Sequence, residues 1–89
     1  MLIRKRVLYS GQVQGVGFRY AAQRIAQGLE VAGSVCNLST GQVEVIAEGE
    51  ASVVAGFLRR IAQQMAGHIH DTQEFEEPVQ SLTGFTILH

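Results

Sequence analysis

Between residues 3 and 13, IRKRVLYSGQV, apolar and polar positions alternate. Ile3, Val7, Tyr9 and Val13 fall on one parity, and Arg4, Arg6, Ser10 and Gln12 on the other. A period of two predicts a half-buried strand, with Lys5 on the inner parity and Leu8 on the outer as exceptions. The period changes at Phe18. Phe18, Ala22, Ile25 and Leu29 recur at spacings of four, three and four, which stack on one side of a helix. Val31 and Val35 suit a second strand and Ser39-Thr40-Gly41 a turn. Val43, Val45 and Ala47, alternating with Gln42, Glu44 and Glu48, predict the returning strand of a hairpin. A second amphipathic run follows Gly49, with Val54, Leu58, Ile61 and Met65 on one face and Gly67 at its end. Gly56 inside that helix costs about 1 kcal/mol relative to alanine, for which close packing against a neighbour is the usual reason. From His68 onward the pattern weakens. Ile69, Thr72 and Phe75 among many polar groups predict a charged edge strand. Pro78 and Gly84 bracket a loop, and Phe85 and Ile87 predict a short closing strand.

The order strand, helix, strand, strand, helix, strand carries two helices with one apolar stripe each. Both must cover the same face of one sheet. The expected fold is therefore α+β: a ferredoxin-like split βαβ sandwich, an antiparallel sheet with two helices on one face. That architecture hosts many unrelated functions, so the site must decide. A length of 89 residues leaves room for a single domain, 1–89, and no second core. With 46% hydrophobic and 17% charged residues the chain is too apolar for disorder. A net charge of -1 gives no broad field to recruit nucleic acid or a membrane surface, leaving Arg4, Lys5 and Arg6 as the one local basic cluster. No apolar run approaches membrane-spanning length, and MLIRKRVLYS lacks the apolar core and cleavage site of a signal peptide. The single Cys36 excludes an intramolecular disulfide framework, so a cytoplasmic location is expected.

The informative segment is GQVQGVGFRY, residues 11 to 20, where the first strand gives way to the first helix. At such a junction several amides have no partner and the helix dipole is positive. Gly15 and Gly17 let the amides from Gln14 through Phe18 turn inward toward a tetrahedral anion. Arg19, in the first helical turn, offers a planar fork to two phosphate oxygens. The same residues also fit a plain glycine-relieved turn followed by a solvated arginine, and spacing alone leaves both readings open.

GQVQGVGFR closely resembles the signature of the acylphosphatases, in which a G-x-V-Q-G-V-x-F-R segment forms the phosphate cradle. Gly33, Val35 and Asn37, then Gly41, Val43 and Gly49, agree with a second segment of that family, and GFTIL is similar to its closing strand. The resemblance implies metal-independent hydrolysis of carboxyl-phosphate mixed anhydrides to carboxylate and phosphate, with no cofactor and no covalent intermediate. It implies that Gln14, Gly15, Val16, Gly17, Phe18 and Arg19 form the phosphate site, that Arg19 binds phosphate, and that Asn37 orients the attacking water. The expected partner is a small-molecule acyl phosphate, acted on by a monomer. The alternative is a non-catalytic phosphate- or carbamoyl-phosphate-binding module of the same fold. A nucleic-acid-binding sheet is disfavoured, because QVEVIAEG carries no aromatic residue for base stacking.

Three positions depart from the family pattern. Ser34 stands where an aromatic residue is common, Cys36 where a long residue is usual, and Glu30 where glycine often ends the first helix. Elsewhere the bland readings prevail. His68 and His70 are expected as solvated edge residues rather than metal ligands, and His89 is the last residue. Cys36 is expected as a small, partly buried apolar group, and Glu74, Glu76 and Glu77 as a solvated face.

Overall fold

The computed structural model describes residues 1–89. In chain order the elements are β1 (Leu2–Gly11), α1 (Phe18–Gln27), β2 (Ala32–Asn37), β3 (Val43–Glu50), α2 (Ala51–Gln64), β4 (Ile69–Glu77) and β5 (Phe85–Leu88). They form one five-stranded sheet in the order β4-β1-β3-β2-β5. Among the first four strands each hydrogen-bonded pair, β4 with β1, β1 with β3 and β3 with β2, is antiparallel. β5 differs: it pairs parallel to β2, with Gly33 opposite Phe85 and Cys36 opposite Leu88, so the complete sheet is mixed. The cause is the segment 78–84, which leaves β4 at one edge and delivers the chain to the opposite edge.

β1 ends two residues before Val13, because the register with β4 shifts between Ser10 and Gly11 and turns the chain out of the sheet. Val13 keeps its inward position and is buried in the loop that follows. The inner parity of the strands and the apolar stripes of both helices meet in one core, which includes Val7, Tyr9, Val35, Val45, Ile25, Phe57 and Ile61. Phe18 lies beneath the first loop against Tyr9, with ring centroids 5.0 Å apart. Gly56 does not have the tight neighbour its sequence position implies. A Cβ there would meet only the Arg59 guanidinium, at an ordinary 3.7 Å. No helix is long and apolar enough to cross a membrane.

The other sheet face is polar and internally paired. Arg4 reaches Glu77 at 3.0 Å and Glu48 at 3.8 Å, and Arg6 lies between Glu44 and Glu77. Lys5, on the inner parity, reaches Glu74 at 3.0 Å on the helix side of the sheet, beside Leu58 and Arg59 of α2. The basic cluster read from the sequence is therefore neutralised by cross-strand carboxylates; Glu74 and Glu76 are exposed to solvent, Glu74 within an ion pair, while Glu77 is half-buried between Arg4 and Arg6. Glu48 is buried beneath the 78–84 segment, where the Gln80 and Leu82 amides each donate to its carboxylate at 2.7 Å. Cys36 is a free, half-buried thiol.

Candidate active site

In a split βαβ unit β1 and β2 run in the same direction, so the loop after β1 and the last residue of β2 share one rim. That rim holds a cavity of about 250 Å³ lined by Val13, Gly15, Gly17, Phe18, Arg19, Tyr20 and Asn37. The topology thus gathers the glycine segment, the arginine and the asparagine, the last of which is far away in sequence.

Gly15 and Gly17 both adopt left-handed backbone, with φ of 76° and 80°. A Cβ at either position would meet nothing within 4 Å, so conformation rather than space demands glycine. Alternating the backbone's hand around Val16 curls successive N–H groups toward one concave side, an arrangement that receives anions. Gly17 caps α1 without any side-chain hydrogen bond. The first bond of the helix runs from the Ala21 amide to the Gly17 carbonyl, 3.0 Å, and the amides of residues 15 to 20 bond to no other backbone group. A row of free donors at a helix N-terminus is electrostatically positive. No carboxylate lines the cavity.

Arg19 is half-buried on the first turn of α1. Unlike Arg4, Lys5 and Arg6 it has no acidic partner; its Nη1 contacts His89 Nδ1 at 3.4 Å. Asn37 ends β2 on the inner parity with Val35. Its side-chain Oδ1 is buried and no protein donor reaches it, a condition that costs about 1–3 kcal/mol unless water or a ligand supplies the bond. Gln14 takes part in a way the sequence did not reveal. Its Nε2 donates to the carbonyls of Leu38 at 2.8 Å and Gln42 at 2.9 Å, fastening the glycine loop to the β2–β3 turn just beyond Asn37. Tyr20, 61% exposed, forms an outer wall that sequence patterning also left unmarked. Ser34 and Cys36 stand on the opposite parity of β2 from Asn37, and neither they nor Glu30 line the cavity.

A larger cavity, about 600 Å³, lies at the far rim between the start of β2, the end of β3 and the 78–84 segment. It is mainly apolar, and its carboxylate Glu48 is already occupied by backbone amides. Chemistry favours the smaller cavity, because there the free donors, the guanidinium and the orphaned acceptor meet. No three His, Cys, Asp or Glu side chains come together as a metal site would require.

Comparisons with known proteins agree on one family. A family model described as Acylphosphatase matches residues 5–87. An acylphosphatase of Methanospirillum hungatei is 41% identical over 86 residues, covering 94% of each chain. The crystal structure of acylphosphatase from Bacillus subtilis superposes with a TM-score of 0.87 at 30% identity, and the match covers 100% of both chains. Full-length HypF, in its phosphate- and nucleotide-bound form, contains a similar unit. The match has a TM-score of 0.86 at 28% identity and covers 100% of this chain but 12% of that one.

Proposed function

From the premise that this chain belongs to the acylphosphatase family, we propose that its glycine loop, Arg19 and Asn37 together hydrolyse carboxyl-phosphate mixed anhydrides without a metal. The phosphoryl oxygens accept hydrogen bonds from the free amides between Gly15 and Tyr20 and from the Arg19 guanidinium. Asn37 Oδ1 accepts a hydrogen bond from the attacking water and aims its lone pair at phosphorus. The water oxygen–phosphorus bond forms, the acyl oxygen–phosphorus bond breaks, and the electron pair leaves on the carboxylate. Asn37 is no base at neutral pH, so the water proton passes to a phosphate oxygen. A carboxylate is a weak base and leaves without a proton donor. What remains is positioning and charge stabilisation, which carry most of phosphoryl transfer.

The observation that carries this reading is the buried, unpartnered Asn37 Oδ1 in the same cavity as a row of unused amides. An acceptor beside a set of donors is the complement of a water molecule approaching an anion. The test is hydrolysis of benzoyl phosphate in the presence of a chelator, by wild type and by Arg19→Ala. The expected result is turnover in wild type and a loss of at least about 10³-fold in the variant, with an unchanged circular dichroism spectrum. Phosphate binding without turnover in wild type would instead support a binding module, a reading favoured by the match to a small part of a longer chain. Turnover that a chelator abolishes would overturn metal independence.

A further inference from the structure

The amides and Arg19 hold a phosphoryl group and Asn37 holds a water, but the acyl half of the substrate needs a wall of its own. In-line displacement fixes its direction. The leaving oxygen departs on the side of phosphorus opposite the water, so the acyl group projects away from Asn37. What it meets follows by elimination among the residues that line the cavity. Val13 and Phe18 are 1% and 2% exposed, so they form a buried floor and offer no side-chain surface to an entering group. The two glycines have no side chain, and Arg19 and Asn37 are engaged by phosphate and water. Tyr20 is left, 61% exposed. It is the third residue of α1, and side chains on a helix lean toward its N-terminus. The ring therefore tilts over Gly17 and the mouth of the cradle. Tyr9 pairs with Phe18 and Phe57 with Phe85, and Arg6 covers Phe75, whereas no ring or cation packs on Tyr20.

Resting on the phosphate-site reading above, we propose that Tyr20 is the specificity-determining residue for the acyl group. The face of its ring packs against the group that leaves as carboxylate, and acyl phosphates that carry an aromatic ring are preferred to those with a short acyl chain. An exposed tyrosine is ordinary on a protein surface. This one differs because it supplies the exposed apolar surface at the mouth of an anion site. Every other contact in the cavity grips the phosphoryl group or the water, which all acyl phosphates share, so none of them distinguishes one acyl group from another. Tyrosine suits the position: its ring body is apolar while its hydroxyl stays in water. A ring packed on a ring is worth about two- to tenfold in affinity. The single methyl of an acetyl group covers far less of the ring and gains correspondingly little.

The test compares benzoyl phosphate with acetyl phosphate, which share the phosphoryl group and differ in what the acyl half offers to a ring. kcat/KM for both is measured in wild type, Tyr20→Ala and Tyr20→Phe, together with inhibition by sulfate, which occupies only the phosphate site. Dividing each variant's value by that of wild type on the same substrate removes the difference in intrinsic reactivity. Tyr20→Ala is expected to lose about two- to tenfold on benzoyl phosphate and distinctly less on acetyl phosphate, with an unchanged sulfate inhibition constant. Tyr20→Phe keeps the ring and is expected to match wild type on both substrates. An alanine variant that loses nothing, or loses equally on the two substrates, overturns the role of Tyr20 while leaving the phosphate site standing. So does weakened sulfate inhibition in Tyr20→Ala, or a phenylalanine variant that behaves as alanine does. A wild type that hydrolyses neither substrate overturns the proposed hydrolysis and this inference with it.

Discussion

Asn37 holds a conflict that only function resolves. Its Oδ1 is buried with no protein donor, so the fold carries an uncompensated acceptor that alanine would not have. Asn37→Ala is therefore expected to unfold at a Tm no lower than wild type while kcat for benzoyl phosphate falls by about 10²–10³, the size of effect seen when one positioned dipole is removed. Sulfate affinity should stay close to wild type, since the amides and Arg19 remain. A variant that melts well below wild type would show that the side chain is structural. The asparagine was legible in the sequence only through the family resemblance. Nothing in the spacing between Gln14 and Asn37 announces proximity, because the contact exists only once β3 is inserted between β1 and β2. Arg19 was more accessible, since a helix start and an adjacent glycine run are local features.

Elements are where local patterning served best and where its limits are clearest. α1 begins at Phe18 and the hairpin turns at Ser39-Thr40-Gly41, because a change of period and a cluster of turn residues are written into a few adjacent positions. β5 was visible as a short strand, but its parallel pairing with β2 was not, because partner choice depends on where the 78–84 segment crosses the sheet. Gln14 belongs to the same class. Its backbone was expected in the cradle, whereas its side chain turns to the carbonyls of Leu38 and Gln42 in another element. Both amide hydrogens are used, so the loop and the β2–β3 turn hold one spacing and fix the cradle relative to Asn37. Gln14→Ala should lower stability by about 1–2 kcal/mol, for two neutral hydrogen bonds, and should depress kcat/KM by misplacing the amides relative to Asn37. Gln14→Glu should be worse than alanine, because its carboxylate would face two carbonyl oxygens. Chemical denaturation and steady-state kinetics on the two variants decide it. A glutamate variant equal to wild type would mean that the tie is dispensable.

At the scale of the whole molecule, the two rims of the sheet are joined by β5. The 78–84 segment crosses at the far rim, where its Gln80 and Leu82 amides close on Glu48, and the strand it delivers ends at the near rim with His89 against Arg19. Glu48 is thus a latch for an element that finishes in the candidate site. The Gln80 amide, with those of Leu82 and Ser81 and the Arg4 charge, outweighs burial and holds the Glu48 carboxyl below its ordinary value of 4.5. A carboxyl depressed in the folded state stabilises that state above its unfolded value. The contribution disappears as pH falls below about 4.5 and through the folded titration. Glu48→Gln presents one acceptor oxygen and an unwanted donor to the same amides, so at neutral pH the variant should melt below wild type. On acidification wild type should lose stability faster than the variant, and the two Tm curves should converge. Parallel curves from neutral pH to about pH 2.5 would show that Glu48 does not carry this pH dependence. Because β5 rests on β2 along one edge only, the loosened segment should appear first as faster amide hydrogen exchange in β5, ahead of any change in β1, which is paired on both sides. Uniform acceleration across β1 and β5 would instead mean that the latch supports the sheet as a whole and not the strand that carries His89.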